Sequence, residues 1–145
     1  MRLTTFTDYC LRVLVYVGMR EGEVVTIDEI SQRYSISRNH VMKVVLRLSQ
    51  SGYLTTARSK GGGMWLGRKP EEINIGTLVR QMEEDLALVE CFQPDNCSCI
   101  IEPACVLRRA LREALEAFLA VLDGYTLASL LEPKSKLARL LSLPA

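Results

Sequence analysis

A mainly α-helical chain with one small β-hairpin is what this sequence predicts, and three observations carry the prediction. Apolar residues recur at three-and-four spacing in three stretches, residues 9–17, 41–48 and 107–122, as on helices with one buried face. Two short β-prone runs, residues 53–57 and 64–66, flank a glycine-rich stretch that can close a hairpin. At 145 residues, 48% hydrophobic and 24% charged, the chain has the balance of one globular domain with a single main core.

Each element follows from local chemistry. Thr5 and Asp8 have the spacing of a capping box, which predicts a first helix over residues 5–20 with Tyr9, Cys10, Val13, Leu14 and Val17 on its buried face. Glu21, Gly22 and Glu23 break it. Thr26, with Glu29 three residues on, caps a short second helix over 27–33. After a turn at Tyr34, Ser35 and Ile36, Ser37 caps a third helix over 38–50. Val41, Val44, Val45 and Leu48 form its apolar stripe, whereas Arg38, Asn39, His40, Lys43 and Arg47 share the polar face. Beyond the hairpin, residues 73–75 read as extended, and Gly76 and Thr77 open a helix reaching about residue 85. Residues 91–103, with two prolines, read as an irregular loop. A helix of about 18 residues follows, ending near Asp123 and Gly124. Residues 125–131 form a further short helix, and the tail to residue 145 is expected to fray.

Two short helices, a third with a polar outer face and a hairpin with a basic tip constitute a winged helix-turn-helix. Residues 1–75 are assigned to it. Residues 76–145 hold the irregular loop and the long helix, whose apolar stripe (Leu107, Leu111, Leu115, Phe118 and Leu122) wants a partner helix and predicts a dimer seam.

Charge separates the same two parts. Residues 1–70 carry a net +6 and residues 71–145 a net −5, so only the first part is suited to a polyanion. A reading helix needs short polar and cationic side chains in its first turns, where they reach base edges. Ser37, Arg38, Asn39, His40 and Lys43 supply them, and Arg58 and Lys60 beside glycines 61–63 supply phosphate contacts at the wing. A nucleotide-binding loop is excluded there, because no Lys-Ser/Thr follows the glycines. No apolar run approaches the roughly 18 residues of a membrane span, and the first eight residues lack a signal peptide's apolar centre, which predicts a cytoplasmic protein without membrane partners. With His40 as the only histidine and no recognisable carboxylate pair, no catalytic constellation is present.

Four of the five cysteines, Cys91, Cys97, Cys99 and Cys105, lie within 15 residues, whereas Cys10 reads as a small core residue. Such clustering points to metal or redox chemistry. The pairs typical of structural zinc, two cysteines separated by two to four residues, do not occur as two knuckles. The looser spacing fits an iron-sulfur cluster, with zinc and a thiol-disulfide switch as the alternatives. A zinc-stabilised winged-helix DNA binder and a small electron-transfer protein are the competing functions.

The run Leu3-Thr-Thr-Phe-Thr-Asp-Tyr9, the Ser37-Arg-Asn-His40 helix start, the glycine-rich wing and Cys99-Ile-Ile-Glu-Pro-Ala-Cys105 together resemble the Rrf-type family of winged-helix iron-sulfur regulators over nearly the whole chain. The cysteine pattern is most similar to that of the family's nitric-oxide-sensing repressors. A related branch places a histidine ligand three residues after its last cysteine, where this chain has Arg108. The resemblance implies a homodimeric repressor that binds inverted-repeat, double-stranded operator DNA and releases it when nitric oxide attacks the cluster. Sensing of redox state or of iron-sulfur supply is the alternative within the family. The implied cofactor is a [4Fe-4S] cluster, or less favourably [2Fe-2S], held by Cys91, Cys99 and Cys105, with Cys97 as the alternative middle ligand and Asp8 contributed by the partner subunit.

Overall fold

The computed structural model describes residues 2–58, 62–93 and 98–144. Lys60 and Cys97 lie outside the described residues.

Helix α1 spans Thr5–Met19, and its N-cap is Thr4, whose hydroxyl accepts from the Thr7 amide at 3.2 Å. The cap therefore falls one residue before the predicted Thr5. Thr4 is chosen by a distant partner: its amide and hydroxyl both donate to Glu83 Oε1, at 2.8 and 3.0 Å. Asp8 is freed from capping and pairs with Arg12 at 2.8 Å. Helix α2, Ile27–Tyr34, carries the predicted box, with the Glu29 amide donating to the Thr26 hydroxyl and the Thr26 amide to the Glu29 carboxylate. Ser35, at φ 54°, turns the chain into α3, Arg38–Gln50, capped by Ser37.

Strands β1, Leu54–Thr56, and β2, Met64–Leu66, pair antiparallel with Thr55 opposite Trp65. The hairpin is fastened to the body by two backbone bonds between Met64 and Val25, at 2.9 and 2.7 Å. Gly63 lies so close to this junction that a Cβ there would stand 2.7 Å from the Val25 carbonyl oxygen.

Helix α4 runs over Ile75–Met82 from an Asn74 cap, starting one residue earlier and ending about three earlier than the periodicity suggests. The extended stretch before it survives as a bridge from Asn74 to Thr126. Helix α5 is Val106–Asp123, followed by α6, Leu127–Leu131, and α7, Lys134–Leu140. The tail does not fray up to residue 144: it forms α7, and Leu141 is buried against the core. Helix α6 starts at Leu127, two residues later than expected, with Thr126 as its cap.

The main core joins Cys10, Val13, Leu14 and Val17 of α1 to Val41, Val44 and Leu48 of α3, and it takes in Leu78, Leu127 and Leu131 from beyond residue 75. Cys10 is fully buried, as the sequence implies, and burial pushes its thiol up to about 12. A second, smaller cluster packs Ile75 and Val79 of α4 against Leu119 of α5. Arg80 clamps the same pair through two bonds to Asp123, at 2.5 and 2.9 Å. Among the described residues no helix is long and apolar enough to cross a membrane.

Candidate nucleic-acid interface and cysteine loop

The four buried residues of α3 turn one side of the helix inward, and 3.6-residue periodicity then forces the remaining side chains to solvent. Ser37, Arg38, Asn39, His40 and Lys43 are all exposed, as is Arg58 at the end of the described part of the wing. They share that surface with Met42 and Leu46, 43% and 60% exposed, which the sequence reading passed over. Their register on the helix was the available signal. Arg47 is diverted from this face, donating to the Gln81 carbonyl at 3.2 Å.

Two of these side chains, Arg38 and His40, have neighbours that set their positions. Arg38 Nε donates to Asp28 Oδ1 at 2.8 Å, and Arg38 Nη1 lies 3.2 Å from Met42 Sδ. His40 faces Tyr9 of α1, with ring centroids 6.1 Å apart, and Arg12 lies 5.9 Å from the same tyrosine ring. Helix α3 is thus in side-chain contact with the helix that carries Asp8.

The cysteine loop begins in a single 3-10 turn, Glu90–Phe92, and ends in another, Glu102–Ala104, directly before α5. Cys91 and Cys105 are half-buried and Cys99 is exposed. Cys105 is the N-cap of α5, its sulfur accepting from the Arg108 amide at 3.3 Å. The Arg108 side chain pairs with Glu102, bracketing Cys105. Among the described residues, no three His, Cys, Asp or Glu side chains converge on a common point within the chain. The donor set nonetheless fits an iron-sulfur cluster: three accessible thiols on one irregular segment, soft ligands suited to iron.

On α5, Leu115, Phe118 and Leu122 pack against the α4 cluster of the same chain, Leu111 is half-buried, and Leu107 is 64% exposed. Between α5 and the segment after α4 runs a groove of about 730 Å³ lined by Leu3, Leu86, Leu88, Leu111, Leu115 and Phe118.

Comparison with known proteins accords with this arrangement. The chain is 50% identical over 144 residues to the HTH-type transcriptional regulator NsrR of Bacillus subtilis (strain 168), covering 99% of each chain. It is 49% identical over 142 residues to the regulator of the same name from Geobacillus kaustophilus, covering 97% of each. It superimposes on a putative transcriptional regulator from Listeria innocua with a TM-score of 0.73 at 26% identity, covering 92% of this chain and 88% of that one. The B. subtilis global cysteine regulator CymR gives a TM-score of 0.71 at 26% identity, covering 90% and 95%. Such chains are DNA-binding regulators and not enzymes. Residues 3–133 match the family model Rrf2, described as an iron-dependent transcriptional regulator, and the chain belongs to the Rrf2 family.

Proposed function

We propose that this regulator is a homodimeric repressor that holds an inverted-repeat operator and releases it when nitric oxide reacts with an iron-sulfur cluster. The observation that carries the reading is the packing of α1 on α3: the helix bearing Asp8 touches the reading helix through Tyr9 and His40. Cys91, Cys99 and Cys105 would hold a [4Fe-4S] cluster with Asp8 of the partner subunit as fourth ligand, and Cys97 is the substitute for Cys99. Such a cluster supplies irons with which nitric oxide reacts.

The chain's own residues account for the rest. To bind iron, Asp8 has to give up Arg12; when it lets go, Arg12 recovers its partner and α1 is no longer tied to the other subunit. A carboxylate is a harder and weaker ligand for cluster iron than a thiolate, which makes this tie the labile one. Leu107 and the groove beside α5 offer a second copy an apolar seam, and an inverted repeat requires the two α3 helices to stand about 34 Å, or a multiple, apart. A loss of about 3 kcal/mol in binding on release is more than a hundredfold in affinity.

The test is an anaerobic visible spectrum with iron and sulfide analysis, repeated after adding nitric oxide and paired with operator binding. About four irons per chain, bleaching together with loss of DNA affinity, is the expected result. A colourless, zinc-containing protein overturns the cluster assignment, and a spectrum and iron content unchanged in Asp8→Ala remove Asp8 from the ligand set.

A further inference from the structure

Asp28 is a carboxylate on a surface whose other charged groups suit phosphate and base edges. It is the second residue of α2, and α2 is already capped by Thr26 and Glu29, so its helix end does not require it. On a DNA-facing surface it is repelled by every nearby phosphate. As a stability element it adds little, because it is 64% exposed and its partner Arg38 is 58% exposed. Its geometry is nevertheless specific. Asp28 Oδ1 takes the Nε–H of Arg38 at 2.8 Å, while Met42 Sδ lies 3.2 Å from Nη1. Nη2 has no hydrogen-bond partner among the described residues. Nε and one Nη1 hydrogen are thus engaged from two sides, and the second Nη1 hydrogen together with Nη2 leaves the end of the fork able to present two parallel N–H donors.

We propose that Asp28 is a positioning residue for sequence readout: it fixes the Arg38 fork so that Arg38 reads the O6 and N7 acceptors of one guanine per half-site. This rests on α3 being the reading helix. Two parallel acceptors on the major-groove edge are what such a fork matches, and guanine is the base that presents them. A fork ordered before binding also loses less rotamer freedom on contact. Asp28 thus works in two opposed directions, weakening binding to DNA in general while sharpening the choice of base.

The test uses the anaerobically purified full-length chain and a duplex that it selects from a randomised pool. Each guanine of that duplex is replaced in turn by 7-deazaguanine, which lacks the N7 acceptor. One position per half-site is expected to cost the wild-type chain at least about fivefold in affinity and to cost Arg38→Ala nothing. At that position Asp28→Ala is expected to lose most of the penalty while binding a random duplex more tightly than wild type. Asp28→Asn, which keeps an oxygen acceptor but no charge, is expected to retain the penalty and share the tighter random binding. Asp28→Ser, too short to reach the guanidinium, should repeat the alanine result and serves if alanine disturbs the fold. A 7-deaza penalty that is undiminished in Asp28→Ala and Asp28→Ser overturns the positioning role and leaves α3 as the reading helix. Selection of no duplex at all, or a pattern indifferent to Arg38→Ala, overturns the Arg38 readout itself.

Discussion

Two cysteine environments within one chain have opposite chemical consequences. Cys10 is sealed in the α1 face of the core, whereas Cys91, Cys99 and Cys105 all reach solvent. In the metal-free chain at pH 8, iodoacetamide is expected to alkylate those three and to spare Cys10, as read by peptide mass spectrometry. Alkylation of Cys10 at a comparable rate would show that the α1 core opens readily. The same burial makes stability pH-dependent. The thiol is held near 12 in the folded chain against 9.0 ordinarily, so above about pH 9 the unfolded state sheds this proton first. Stability from this source is intact below pH 9.0 and declines as pH climbs toward 12; Cys10→Ser removes that part of the slope, measured by urea unfolding. The placement of Cys10 was legible in the sequence because helical periodicity puts it beside Val13, Leu14 and Val17. The exposure of Ser37, Arg38, Asn39, His40 and Lys43 was legible for the converse reason. Asp28 was not, because its significance lies in a contact between two helices at an angle that periodicity does not specify.

The wing shows how an element of only two three-residue strands is held in place. Its own ladder is short, and β2 is tied to Val25 just before α2 by backbone bonds that need close approach at Gly63. Gly63→Ala forces that junction apart and is expected to lower stability by about 1–3 kcal/mol, together with a loss of affinity for any duplex as the wing shifts. Wild-type stability in a urea titration of Gly63→Ala would show that the junction yields without cost. Caps tell a similar story. Thr26, Ser37 and Asn74 act locally, and the first two were visible in the sequence as polar residues preceding helices. At the start of α1 two threonines were available, and Glu83, nearly eighty residues away, decides between them. The tail is the larger case: Lys134–Leu140 is rich in good helix formers but far too short to hold a helix alone, and α7 is stabilised because Leu141 finds space in the main core.

At the scale of the molecule, α5 has two apolar sides with different fates. Leu115, Leu119, Phe118 and Leu122 are taken up by α4, whereas Leu107 and Val121 remain 64% and 62% exposed. If α5 forms the seam between copies, Leu107→Asp is expected to shift the sedimentation profile from dimer toward monomer without altering helical content. An unchanged dimer would place the seam elsewhere. Leu119→Asp, by contrast, strikes the intrachain cluster and is expected to unfold the C-terminal part. The heptad-like spacing read from the sequence mixes these two groups, because it records which residues are apolar and not which neighbour covers them.

By itself the sequence determined helices α1 to α6 and the hairpin, their order, the polar face of α3 and the grouping of the cysteines. These follow from nearest-neighbour chemistry: capping hydroxyls, turn residues, periodic burial and ligand spacing. Tertiary structure alone decided that Thr4 caps α1, that α7 docks, that much of the α5 stripe is consumed within the chain, and that Asp28 grips Arg38. Each depends on groups distant in sequence meeting at a particular distance and angle, and that information arises only when the core packs.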